Sequence, residues 1–323
     1  MKNKNLPKLI VILGPTASGK TDLAIKLAEK FNGEIVSADS RQVYKGMDIA
    51  TAKPWNFKFP NFKFQKRKEF ILIKGVPHHL IDVVFPDQEF NVAVYKKLAI
   101  SAIKDIQKRG KLPFLVGGTG LYVKAVVDNI EFPKVPAQKK LREKLEEKTK
   151  KELFKIYKKL DSKGAKFIDK ENKRRLIRAI EVCKITKKPF WQQRKKGAPL
   201  FDTLQIGTKL PKKELKKRVE TRIEKMLKMG LEEEVKKLVQ KYGWNISPLQ
   251  TIGYQEWQDY LGNKIRKNEV KEKIILHTIQ FAKRQMAWFK RHPAPEQVRC
   301  GASKRIHWIK NYQQAENLIK NFL

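Results

Sequence analysis

The sequence predicts an α/β fold: a phosphate-loop core in which a parallel sheet is flanked by helices, plus an inserted all-helical domain. Three observations predict it. The apolar run Leu9 to Leu13 leads directly into "GPTASGKT" (14–21), which is followed by an apolar-periodic segment, Leu23 to Phe31. Strand-like and helix-like segments alternate from residue 9 to 130, the pattern of a parallel sheet covered on both faces. At "FPKVPAQ" (132–138) two prolines break that pattern, and a basic, strandless stretch follows to about 186.

The elements follow in order. Residues 9–13 read as the first strand, and "GEIVSAD" (33–39) as a second that ends on an acidic residue. In the segment 89–109, Tyr95, Leu98, Ala99, Ala102, Ile103 and Ile106 share one helical face. Gly110 is a stop signal, "LPFLVGG" (112–118) a buried strand, and "TGLYVKAVV" (119–127) begins the next helix. "FDTLQIGTKL" (201–210) returns to the sheet, and helices are expected over 212–241 and 268–291. The expected division is therefore 1–131 with 201–323 as the core, and 132–200 as a helical insertion that binds a polyanion. The aromatic-basic segment 55–73 alternates with period two around Pro60-Asn61, which predicts a short β-hairpin over 55–65.

Composition narrows the function classes. The chain has 323 residues, 41% of them hydrophobic, so a sizeable core is available. Its 72 basic and 33 acidic residues give a net charge of +39, which points to a polyanionic partner, most simply a nucleic acid. General drift of surface positions to Lys would explain the size of the excess without excluding RNA. Two isolated cysteines, Cys183 and Cys300, supply neither a disulfide framework nor a zinc module and fit a reducing compartment. The N-terminal lysines and apolar run mimic a signal peptide, but the run is short and enters the phosphate loop. No stretch approaches the ~20 apolar residues of a membrane span.

The motif G-x-x-x-x-G-K-[ST] between strand and helix is a phosphate cradle. Backbone amides of Gly14, Pro15, Thr16, Ala17, Ser18 and Gly19 (proline excepted) would surround a diphosphate, with Lys20 reaching over it and Thr21 as the Mg²⁺-side hydroxyl. An ordinary nucleotide hydrolase places an acidic residue at the end of a neighbouring strand. Here that strand ends in Gly117-Gly118-Thr119, and Asp39 ends the second strand instead. Strand C-termini and the loop share one sheet edge, so Asp39, Thr119 and Lys20 should converge. Asp39 would act as a base or hold metal through water; a turn or cap role for it, and an N-cap role for Thr119, stay open. In the helix 268–291, Ile275, Ile279, Ala282, Met286 and Phe289 form an apolar stripe. Lys273, His277, Gln280 and Arg284 form a basic stripe about 200° away. Arg174, Arg175 and Arg178 share little more than one turn, either as a phosphate clamp or as a solvated face, with Leu176, Ile177 and Ile180 packing inward.

These segments resemble one family, the tRNA dimethylallyltransferases. The carriers are "GPTASGKT" (14–21), "SADSRQVYKGMDIATAKP" (37–54), "GVPHHLID" (75–82), "LVGGTGLYVKAV" (115–126), "RRLIRAIEV" (174–182), "IGYQEW" (252–257) and "FAKRQMAWFKR" (281–291). They occur in the family's order and cover nearly the whole chain; the 37–54 segment is the most specific. The resemblance implies transfer of a dimethylallyl group from dimethylallyl diphosphate to N6 of the adenosine 3′-adjacent to a tRNA anticodon, with Mg²⁺. It implies Asp39 as base and Thr119 as a positioning hydroxyl. It also implies tRNA contacts from Asp39, Ser40, Arg41 and Gln42, from Thr119 and Arg142, and from Arg174, Arg175, Leu176, Ile177 and Arg178. Further contacts are implied for Gln250, Thr251, Ile252, Gly253, Tyr254 and Gln255, and for Lys283, Arg284 and Gln285, with Arg284 also near the diphosphate. The segment 55–73 is longer than the family's usual connection. The family's eukaryotic zinc-finger tail is not expected, since Cys300 and His307 cannot supply four ligands. A bacterial-type, cytoplasmic, monomeric enzyme is expected. Two rivals remain open at this stage: a P-loop nucleoside or nucleotide kinase, and a non-catalytic RNA-binding protein with a relic phosphate loop.

Overall fold

The computed structural model describes residues 6–54, 65–66, 70–193, 195–291 and 305–323. The expected hairpin over 55–65 lies almost entirely outside them, as does Cys300.

Among the described residues one eight-stranded sheet runs in the order β3-β4-β5-β2-β6-β1-β7-β8. Its strands are β1 (Lys8–Leu13), β2 (Gly33–Ser37), β3 (Gln65–Lys66), β4 (Ile71–Ile73), β5 (Val76–His79), β6 (Leu112–Gly117), β7 (Asp202–Thr208) and β8 (Ile306–Ile309). From β5 to β8 every pairing is parallel, while β3 and β4 add an antiparallel edge. The β4–β5 turn is made by Lys74 and Gly75, with φ of 51° and 76°. Two consecutive positive φ values match the twist of a tight hairpin.

Alternation along β1 feeds both faces. Ile10 and Ile12 join one core with helix α1 (Lys20–Lys30) and helix α11 (Tyr312–Phe322). Leu9, Val11 and Leu13 join the other with helix α2 (Val92–Lys108) and helix α3 (Gly120–Val127). Asn91 caps α2 by accepting hydrogen bonds from the amides of Ala93 and Val94. A third cluster unites α7 (Lys212–Lys228), α8 (Leu231–Tyr242), α9 (Trp257–Leu261) and the first half of α10 (Lys267–Arg291) around Val43, Met47 and Trp257. The helices expected over 212–241 are two, divided where Gly230 takes φ 89°. Along α10 the buried positions are Val270, Ile274, Ala282, Gln285 and Phe289. The packed face is thus rotated from the expected stripe, and Ile275 and Ile279 are only partly buried at its flank.

The chain divides into two compact units, 1–127 with 200–323, and 128–199. The second unit is helical: α4 (Lys139–Glu146), α5 (Lys150–Leu160) and α6 (Lys173–Thr186), plus two 3₁₀ turns. A capping box at Thr149 and Glu152 starts α5. Its core is Leu145, Leu153, Tyr157, Leu176, Ile177 and Ile180. The carboxylate of Glu181 is fully buried and accepts from the Gln138 amide, Arg142 and Arg178. Among the described residues no helix is long and apolar enough to cross a membrane.

Candidate active site

The C-terminal ends of β1, β2 and β6 open onto a cleft of about 920 Å³ in the first unit. One wall is the phosphate loop. Gly14 directly follows β1 at a point where a Cβ would sit 2.3 Å from the Thr208 hydroxyl, so only glycine fits. Ser18 hydrogen-bonds the Pro15 carbonyl at 2.8 Å and the Thr208 hydroxyl at 2.7 Å, which ties the loop to β7. Lys20 folds back over the loop and donates to the Pro15 carbonyl at 3.0 Å. Gly14 and Pro15 are buried beneath the loop, whereas residues 16–21 line the cleft, Thr21 among them.

Asp39 and Thr119 both line the cleft and are joined through the turn that follows β2. The Ser40 amide donates to the Thr119 hydroxyl at 3.0 Å, and the Arg41 amide donates to Asp39 Oδ1 at 2.9 Å. Thr119 therefore spends its hydroxyl on the 38–40 turn. Its carbonyl, not its side chain, starts α3. Asp39 carries the turn interaction as well and still lines the cleft. Gln42 donates to the carbonyls of Thr51 and Ala52 at 3.3 Å, so it braces the wall with which it shares the cleft.

The wall 47–54 owes its shape to buried charge. Glu234 accepts from the amides of Asp48, Ile49 and Ala50 at 2.9, 2.7 and 3.2 Å, and from the Tyr254 hydroxyl at 2.8 Å. Burial raises its pKa, and those hydrogen bonds pull against the rise. Lys53 is fully buried and pairs with Asp48 and Asp82. Much of the distinctive 37–54 segment is thus explained by scaffolding of the cleft.

Of the residues expected at the site, Ser40, Arg41, Gln250, Thr251, Ile252, Gly253, Gln255, Arg284 and Gln285 also line the cleft. Four of the residues implied as RNA contacts, Tyr254, Leu176, Ile177 and Gln285, have buried side chains, which corrects that expectation. Tyr254 is fully buried, and its hydroxyl is held by Glu234. Leu176 and Ile177 lie in the helical unit's core and offer no side-chain surface. Gln285 is 8% exposed and clamps the floor: its Oε1 accepts from the Thr16 amide at 2.8 Å and its Nε2 donates to the Gly118 carbonyl at 2.9 Å. Lys283 is exposed but does not line the cleft. Arg142, Arg174, Arg175 and Arg178 belong to the helical unit, where Arg174 and Arg175 are exposed and Arg142 and Arg178 are held by Glu181.

Sequence reasoning placed a helix here but missed the arginines that α7 turns to the cleft. Arg218 and Arg222, four residues apart, share the face of that helix that lines the cleft. Arg222 donates to the Thr16 hydroxyl at 3.3 Å. Desolvation pulls its pKa down to about 10, Asp39 opposes that, and it remains a cation at neutral pH. The i, i+4 arginine pair was the available signal, hidden among the many other basic residues.

Metal-binding capacity is small. Among the described residues no group of three or more His, Cys, Asp or Glu is placed to hold an ion. The cleft lining includes the Thr21 hydroxyl beside the phosphate loop and three carboxylates, Asp22, Asp39 and Glu214, that form no such group. An ion here would have to keep most of its ligands as water or take them from substrate, a coordination that Mg²⁺ tolerates.

Comparison with known proteins settles the family. The model described as IPP transferase matches residues 42–292, and the isopentenyl transferase model matches residues 7–76. The chain belongs to the IPP transferase family. A relative from Roseiflexus sp. (strain RS-1), named tRNA dimethylallyltransferase, is 43% identical over 320 residues, 98% of each chain. One of the same name from Caldicellulosiruptor saccharolyticus is 44% identical over 87% of this chain and 89% of that one. The solved tRNA delta(2)-isopentenylpyrophosphate transferase of Staphylococcus epidermidis aligns over 98% of both chains, with 35% identity and a TM-score of 0.64. A eukaryotic dimethylallyltransferase acting on tRNA aligns over 88% of this chain and 70% of that one, with 30% identity and a TM-score of 0.72. In this IPP transferase family member, the fold and cleft are those the phosphate-loop motif called for.

Proposed function

We propose that this family member transfers a dimethylallyl group from dimethylallyl diphosphate to N6 of the adenosine 3′-adjacent to a tRNA anticodon, releasing diphosphate. The carrying observation is the cleft in which the phosphate loop faces Asp39 and Thr119, with Arg222 beside both Thr16 and Asp39. The names of the relatives support the same reading over the kinase alternative.

The roles follow from charge. Breaking the allylic C–O bond builds negative charge on the diphosphate, and loop amides, Lys20 and Arg222 are the groups available to stabilise it. The N6 amine is a poor nucleophile because its lone pair is conjugated into the ring. Asp39 accepts its proton as the C–N bond forms. Thr119, fixed by the Ser40 amide, orients the reacting groups. The base reaches the cleft only when extruded from the anticodon loop. Mg²⁺, held from the Thr21 side, supplies further charge neutralisation when bound. We place the enzyme in the cytoplasm as a monomer.

The test is Asp39→Asn. Prenyl transfer should fall by ~10²–10⁴, the usual worth of a general base. Binding of tRNA should stay within about tenfold, since one hydrogen bond contributes at most ~1.5 kcal/mol. Near-normal turnover would remove Asp39 from the base role.

A further inference from the structure

The helical unit carries four exposed large apolar side chains that its own core does not use: Leu160, Phe167, Ile185 and Trp191, exposed by 37, 81, 41 and 46%. Hydrogen bonds gather their segments. Asp161, itself buried, accepts from the Tyr157 hydroxyl at 2.8 Å, the Gly164 amide at 2.7 Å and the Trp191 amide at 3.0 Å. That single carboxylate brings the end of α5, the following 3₁₀ turn and the Phe190–Gln193 turn together. The Phe167 amide closes the same turn by donating to the Gly164 carbonyl at 3.1 Å. On the other side, Gln193 donates to the Thr186 hydroxyl at 2.7 Å and to the Lys188 carbonyl at 2.8 Å, which holds the end of α6 beside Trp191.

The same segments are strongly basic. Lys158, Lys159, Lys163, Lys166, Lys184 and Lys187 are all exposed. The acidic residues in 157–169 and 183–193 are the buried Asp161 and the exposed Asp169, against those exposed lysines. Exposed aromatics set in a field of lysines have the chemistry of a single-stranded nucleic-acid platform: bases stack on the rings and phosphates meet the ammonium groups. An acidic protein would satisfy the lysines equally well. It would have no comparable use for two exposed flat rings in segments joined through Asp161.

We propose that Phe167 and Trp191, with the surrounding lysines, form an RNA-binding platform on the helical unit that stacks unpaired bases. The proposal rests on the tRNA reading above. Both side chains point away from the core, and the backbone amides that organise the turns survive truncation at Cβ, so the variants should fold.

The experiment uses the full chain and its Phe167→Ala, Trp191→Ala and double variants. Probes are a fluorescent tRNA transcript and a short fluorescent oligouridylate, each followed by anisotropy. Circular dichroism melts control for folding. Stacking is worth roughly five- to a hundredfold in affinity per base. The double variant should therefore bind both probes about tenfold or more weakly, and KM for tRNA should rise with kcat at saturating tRNA preserved. Unchanged affinity for both probes, with an unchanged melt, overturns the platform and leaves the patch to a protein partner. In that event wild-type tRNA binding and turnover still report on the tRNA reading. If the wild-type chain binds neither RNA, both fall together.

Discussion

Gln285→Met removes a clamp without removing volume. The glutamine bridges the Thr16 amide at 2.8 Å and the Gly118 carbonyl at 2.9 Å, and so ties the phosphate loop to the turn that carries Thr119. Gly118 accommodates it closely, since a Cβ there would lie 2.4 Å from Gln285 Nε2. Methionine matches the side-chain length but makes neither hydrogen bond. Thr16 lines the cleft, so water takes over its amide at little cost. The Gly118 carbonyl is buried and unpaired, which costs about 1–3 kcal/mol. A loop displaced by ~1 Å slows reaction by as much as ~10²-fold. We expect kcat/KM for the prenyl diphosphate to fall by ~10–10²-fold, with the tRNA dissociation constant changed by less than about threefold. The assay is steady-state transfer with each substrate varied in turn, alongside direct tRNA binding. A tenfold loss of tRNA affinity with normal kinetics in the prenyl diphosphate would refute the clamp and restore Gln285 as an RNA contact.

Other consequences are as specific. His78 is buried, its Nδ1 lies 2.9 Å from the Val76 carbonyl, and burial lowers its pKa from 6.5 to about 4. A depressed folded pKa means that stability is whole above pH 6.5 and lost as pH falls toward about 4. Denaturant titrations across that window should show a loss of about 3 kcal/mol, which His78→Leu removes; an unaltered slope in the variant would assign the loss to other groups. Glu34 is buried, which raises its pKa, but hydrogen bonds from Arg109, His79 and Lys111 prevail and hold it at about 2, so a second loss belongs between pH 4.5 and about 2. Lys20→Ala should weaken inorganic pyrophosphate as a competitor of the prenyl donor while tRNA affinity holds; equal loss of both would place Lys20 on the RNA. Glu234→Ala leaves three backbone amides and the Tyr254 hydroxyl without their acceptor and should lower stability by ~3 kcal/mol or more, read as a drop in denaturant midpoint.

The sheet was legible where periodicity and punctuation agreed. The first strand, the phosphate loop and α1 follow from one apolar run and one motif. Asp39 and Thr119 followed from the rule that parallel strands end on a common edge. The β4–β5 hairpin was missed because β4 lies inside the segment 55–73, which was taken only as a long connection, although a glycine after a short Ile-Leu-Ile run was signal enough. Strand β8 has only four residues and pairs only with β7, so no local pattern marks it. Glu234 and Lys53 were invisible as cleft supports, since nothing in a sequence says which of many charges is buried. Arg222 was hidden for the same reason. Tyr254 and Gln285 sit inside motifs that read as functional, and their function is to hold neighbours in place.

The central claim is tested most directly by incubating the purified chain with Mg²⁺, isotopically labelled dimethylallyl diphosphate and unmodified tRNA, followed by nucleoside analysis of the digested RNA. The account predicts label in N6-(dimethylallyl)adenosine, one equivalent of diphosphate released per group transferred, no requirement for ATP, and loss of the product in Asp39→Asn. Phosphate transfer from ATP in place of prenyl transfer, or label in any nucleoside other than the adenosine 3′ to the anticodon, would contradict it.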